Sequence, residues 1–111
     1  MKLYRQGDVL ISQVAQLPEA AHPIEKGGKI VLAWGEVTGH HHRIENDGDV
    51  AEAQEFTMKD AAGAVQRFLK VFGLGATVKH EEHAAIALPP GIYEITQQRE
   101  YAPEAIRNVA D

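Results

Sequence analysis

The stretch KIVLAWGEVTGHHHRIE, residues 29–45, decides the fold, because it reads as strand, turn and strand and carries half of the chain's unusual chemistry. Ile30, Leu32 and Trp34 alternate with Val31 and Ala33, so period-2 spacing predicts a strand over residues 29–35 with those three on one face. Gly35 and Gly39 punctuate the run, and a second strand is expected over residues 40–45. On that strand His40, His42 and Ile44 share a face, while His41 and Arg43 point the other way. Ile44 marks the inner face, so His40 and His42 are expected to project inward.

The same grammar extends in both directions. Gly and Pro recur at short intervals, the spacing of short strands joined by turns. Further strands are expected over residues 8–14, 76–80, 84–88, 92–98 and 106–110, with Asp47-Gly48 and Pro90-Gly91 as turn dipeptides. Residues 57–72 read two ways. Met58, Ala61, Ala62, Val65, Phe68, Leu69 and Phe72 fall at helical spacing, with Thr57 and Asp60 as a cap and Gly73 as a stop. Val65, Arg67, Leu69 and Val71 also alternate as a strand, and Gly63 weakens the helix. A strand from about Val65 is preferred, with Gly73-Leu74-Gly75 turning a hairpin into residues 76–80. One short helix around residues 57–64 is kept as an option. The expected fold is mostly β: a small single-domain β-barrel or sandwich spanning residues 1–111.

Composition bounds the function. A chain of 111 residues suits one domain with a modest core. Its 44% hydrophobic content includes 16 alanines and only seven aromatics, so burial leans on Val, Ile and Leu. There is no Cys, which excludes disulfides, thiolate zinc sites and iron–sulfur clusters. The opening MKLYRQGDVLI does not read as a secretory signal, and no run approaches the roughly 20 apolar residues of a membrane span. A cytoplasmic protein with no membrane partner is expected. Sixteen acids against eleven bases give a net charge of −5, and Arg5, Arg43, Arg67, Arg99 and Arg107 are scattered, so no nucleic-acid partner is expected.

Five of the six histidines lie in two segments, GEVTGHHHRI and VKHEEHAAI. Residues i and i+2 on a strand are about 6.6 Å apart, close enough for His40 and His42 to lean onto one ion at roughly 2.0–2.1 Å per nitrogen. Ala76, Val78 and His80 share a face, so His80 also points inward; His83 reaches the same point only if Glu81-Glu82 makes a turn or bulge. His40, His42, His80 and His83 are thus the candidate metal ligands, with Glu36 or Glu81 as carboxylate ligands. Such donors suit a divalent transition metal: Zn, Fe(II), Mn, Ni or Cu. Four His would close a tetrahedron, whereas three leave a position for water or substrate. In an enzyme the ion would hydrolyse or polarise a small polar substrate, with Glu36, Glu81 or Arg99 assisting. The blander alternative is an exposed polar strand and a solvated HEEH turn. Arg99, Glu100 and Tyr101 read as a substrate anchor or as a salt-bridged strand end. His22 reads as a loop residue, and Gly7-Asp8 as a tight turn with no chemistry implied. No phosphate loop, nucleophile elbow or H-E-x-x-H helix is present.

The segments RQGDVLI, GEVTGHHHRI, HEEHAAIALPPGIYEI and QREYAPEAIRNVAD together resemble a family of small bacterial and phage-associated proteins with the pattern GExTGHxHR followed by HEEHxxIxLPxGxYxxxxQREY. The likeness covers most of the chain outside residues 47–64. It carries over onto Gly35, Glu36, Gly39, His40, His42, Arg43, His80, Glu81, Glu82, His83, Gln98, Arg99, Glu100 and Tyr101, and it implies no activity, because the family is uncharacterised. Its pattern fixes no His at position 41. A looser similarity is to cupins, whose metal site starts from H-x-H on a strand; here the spacing to Glu45 departs from theirs, and no His follows the Pro-Gly turn. Two rivals to a catalytic metal site stand beside it: a metal-free interaction module of phage or mobile-element type, and a purely structural metal site. A homodimer would cover sheet edges.

Overall fold

The computed structural model describes residues 1–24, 29–35, 39–45 and 53–98. Short alternating runs there form strands: β1 (Leu3–Gln6), β2 (Val9–Val14), β3 (His22–Ile24), β4 (Lys29–Trp34), β5 (His41–Glu45), β6 (Ala53–Lys59), β7 (Val65–Val71), β8 (Ala76–Lys79), β9 (Ile86–Leu88) and β10 (Gly91–Gln97). Among the described residues there is no helix, and so none long and apolar enough to cross a membrane.

Every strand pairing is antiparallel. One sheet runs β1-β2-β10-β7-β6-β3 and the other β4-β5-β8-β9. Period-2 alternation turns Val9 and Ile11, Leu69 and Val71, and Tyr93 and Ile95 to one side of the larger sheet. There they join Ile30, Leu32, Ile44, Val78 and Leu88 of the smaller sheet in a single apolar cluster. The expected small β domain is therefore a two-sheet sandwich with open edges rather than a closed barrel.

The helix option at residues 57–64 is corrected. Residues 53–59 are strand β6, and residues 60–64 turn it into β7. Asp60 Oδ1 accepts from the Ala62 and Ala64 N–H groups at 2.9 Å each, and Gly63 takes φ 87°, a conformation that Gly adopts freely. Ala61, Ala62 and Val65, apolar at helical spacing, are exposed, so no core face held them in a helix. His22, expected in a loop, begins the exposed strand β3.

Gly73-Leu74-Gly75 does not close a hairpin. It carries the chain from β7 in one sheet to β8 in the other, and a Cβ on Gly75 would lie 2.6 Å from the Leu88 carbonyl oxygen. Trp34 is also re-aimed. The β4–β5 register shifts between Val31 and Ala33, so Ala33 opposes His42 and Trp34 opposes His41. Ile30 and Leu32 are buried as expected, but Trp34 is 60% exposed. The larger sheet clasps this bulge: Arg67 donates to Leu32 O at 2.6 Å, to Val31 O at 2.7 Å and to Glu55 Oε2 at 2.7 Å. The expected strand at 106–110 and the Asp47-Gly48 turn lie outside the described residues.

Candidate metal centre

Two residues apart on β5, His42 and Ile44 face the interior together, and His42 is 2% exposed. β8 ends at Lys79, and the bend at residues 81–83 replaces the continuous strand that would have turned His83 away. The result is a group of four rings with His80 at its hub. Its centroid lies 4.3 Å from that of His42, 4.7 Å from that of His83 and 6.0 Å from that of His40, which it meets edge-on. His42 and His83 stack at 5.7 Å. Two imidazoles sharing one ion at about 2.0–2.1 Å per nitrogen put their ring centres roughly 5 Å apart. The group grades outward from buried His42, through half-buried His40 and His80, to exposed His83. Among the described residues, no three His, Asp or Glu side chains are placed so that together they could hold a metal ion.

Hydrogen bonds set which nitrogen of His42 is free. Gln6, itself buried, donates from Nε2 to Val78 O at 3.1 Å and to Ala84 O at 2.9 Å. Its Oε1 therefore faces His42 Nδ1 at 2.8 Å and takes the proton there, leaving a lone pair on Nε2. That lone pair faces Asp8 Oδ1 at 3.6 Å. The Gly7-Asp8 turn, read from sequence as a plain turn, thus lies against the rings. A Cβ on Gly7 would come within 2.9 Å of His83 Nε2 and 3.2 Å of His42 Cε1. Gln6, Gly7 and Asp8 carry no ligand spacing relative to the histidines; only the packing of this turn against the loop after β8 reveals them. At His80, Nδ1 accepts the Glu82 N–H at 3.0 Å. His40 Nδ1 is buried with no hydrogen-bond partner, 3.5 Å from Glu82 Oε2.

Glu81 is turned to β5. One oxygen accepts the His41 N–H and the other accepts from Arg43 Nη1, both at 2.9 Å. Through these bonds it ties the loop that carries His80 and His83 to the strand that carries His41 and His42. His41 points away from His42, yet its side is not open to solvent. It is 8% exposed, stacks on Trp34 at 4.7 Å, gives its Nδ1 proton to Gly39 O and accepts from Lys29. Glu36, Arg99, Glu100 and Tyr101 lie outside the described residues. Gln98 takes a bond from Arg5 at 3.1 Å and gives its backbone N–H to Asp8 O at 2.7 Å.

Burial, then the neighbouring His80, lowers the pKa of His42 below its ordinary 6.5, and burial, then His83, does the same to His80. The backbone N–H of His41 is the main reason that Glu81 is held down at about 2, against an ordinary 4.5. For all three, the unfolded chain takes up protons before the folded one does. The contribution of these three groups to stability is therefore fully present above pH 6.5, falls below it as the unfolded histidines protonate, and falls again from 4.5 towards 2. Melting curves of metal-free protein are expected to record that two-stage decline. An unchanged Tm between pH 8 and pH 5 would contradict it.

The fold and the ring group define a small antiparallel β-sandwich with a histidine-rich end. Within that class the chain belongs to the family described as Domain of unknown function (DUF8820), whose model matches residues 5–98. No curated protein and no solved structure matches it.

Proposed function

We propose that this protein is a metal-binding β domain in which His42, His80 and His83, with His40 beside them, hold one divalent transition-metal ion such as Zn, Fe(II), Mn or Ni. The ion then serves hydrolysis, or related chemistry, on a small polar substrate. The observation that carries this reading is the convergence of His42, His80 and His83 from two distant segments, with ring centroids 4.3–5.7 Å apart. Two features support it further: the His42 proton is committed to Gln6, and the group opens to solvent at His83.

The test is elemental analysis of protein purified without a nickel column, with about one ion per chain expected. At a metal concentration a hundred times Kd, the folded state gains about 2.7 kcal/mol. For a domain of this size that is a rise in Tm of roughly 10 °C. His42→Ala is expected to abolish both signals. No bound metal, and no shift with Zn, Mn or Fe(II), would sink the reading.

One contact favours a second reading. With Glu82 N–H on His80 Nδ1, the His80 proton sits on Nε2, the nitrogen nearest Gly35. In a metal-free cluster that bond would be permanent, and the domain would be an interaction module of phage or mobile-element type. Nitrogen-15 NMR distinguishes them: metal should move the His80 tautomer or its shifts, whereas a metal-free module would show neither change.

A further inference from the structure

Asp8, with 43% of its side chain exposed, and buried His42 face each other across a short gap. At 3.6 Å, Asp8 Oδ1 and His42 Nε2 are too far apart for a hydrogen bond. With the His42 proton on Nδ1, against Gln6, both atoms meet across that gap as acceptors. Two donor atoms on one ion at about 2.0–2.2 Å, at a tetrahedral angle, stand roughly 3.4 Å apart. The spacing is that of two ligands of one cation.

The carboxylate is also aimed. Its other oxygen, Oδ2, accepts from Gln97 Nε2 at 2.9 Å, and Asp8 O accepts from Gln98 N–H at 2.7 Å. A ligating carboxylate is normally held in this way by an outer hydrogen bond. Gly7, at φ 60°, turns the chain beneath the rings where a side chain would collide with His83. We infer that Asp8 is the oxygen ligand of the ion site, making it a three-imidazole, one-carboxylate centre, with Gln97 as the residue that orients the carboxylate.

This rests on the metal-binding reading and narrows it. A carboxylate oxygen favours Zn, Mn and Fe(II) over soft Cu(I). Four protein donors close a zinc tetrahedron, whereas six-coordinate Mn or Fe(II) keeps positions for substrate. Catalysis at such a centre would therefore call for a six-coordinate ion.

The experiment titrates full-length wild type, Asp8→Asn, Asp8→Ala and Gln97→Leu with Zn, Mn and Co(II), after melts in chelator show that each variant folds. Wild type should take up one ion. Asp8→Ala and Asp8→Asn should weaken Zn binding by about 100-fold and alter the Co(II) visible spectrum, and Gln97→Leu should weaken it by about 10-fold. If wild type binds metal and both Asp8 variants bind it equally well with an unchanged Co(II) spectrum, Asp8 is not a ligand, although the histidine site survives. If wild type binds none of the three metals, the metal-binding reading itself fails and takes this inference with it.

Discussion

Arg67→Leu is expected to lower the free energy of unfolding by about 3 kcal/mol, the low end of the 3–5 kcal/mol seen when one partner of a buried ion pair is removed. The low end applies because Arg67 keeps 30% of its side chain exposed, whereas Glu55 keeps 2%. The substitution removes the guanidinium from a buried carboxylate and also frees the Val31 and Leu32 carbonyls that it holds across the two sheets. Urea unfolding at pH 7 measures the loss. The double change Glu55→Leu with Arg67→Leu should recover most of it, because the matched apolar pair no longer buries the carboxylate that Arg67 served. A loss below about 1 kcal/mol would mean that the clasp is peripheral. The effect reaches the histidines as well. The bulge that Arg67 grips is what sets Ala33 opposite His42, so a slip there would change the β4 residue packed across from His42.

That clasp marks the limit of what the residues disclosed in advance. Strands β2, β4, β5, β8, β9 and β10 were legible because their apolar residues alternate and Gly or Pro ends them. The inward turn of His42 followed from Ile44 two residues on. The need for a bend before His83 followed from strand geometry alone, and the bend is there. What stayed hidden depends on contacts between distant segments. Trp34 obeys the alternation in sequence and departs from it in the fold, because one extra residue enters β4 under the grip of an arginine from the other sheet. Apart from Met58, residues 57–64 have helical spacing only through alanines, which bury too little area to enforce a helix against the Asp60 turn. Gln6 and Asp8 are ordinary polar residues beside a turn, and nothing local distinguishes them from solvated ones.

Gln6→Leu is the substitution that ties stability and site together. Leucine fills a comparable volume but can neither donate to Val78 O and Ala84 O nor accept from His42 Nδ1. A buried polar group left without a partner loses about 1–3 kcal/mol. With three groups affected beside a loop where water can reach some of them, a total loss of about 2–4 kcal/mol is expected from urea unfolding. The chemical effect is separate. Without Gln6 Oε1 the His42 proton is no longer fixed on Nδ1, so the ring spends part of its time with the proton on the nitrogen that faces Asp8 and the other rings. Metal affinity should fall by about 10–100-fold, the range for removing an outer partner of a metal-ligating histidine. Nitrogen-15 spectra of metal-free protein should change from a single Nδ1–H form of His42 to a mixture. Gln6→Glu is the informative companion. It can still accept from Nδ1 but cannot donate to the two carbonyls, so it should lose stability while keeping the tautomer. If Gln6→Leu loses stability with no change in tautomer or affinity, Gln6 serves only to join β1 to the loop after β8, and His42 is set by its neighbours alone.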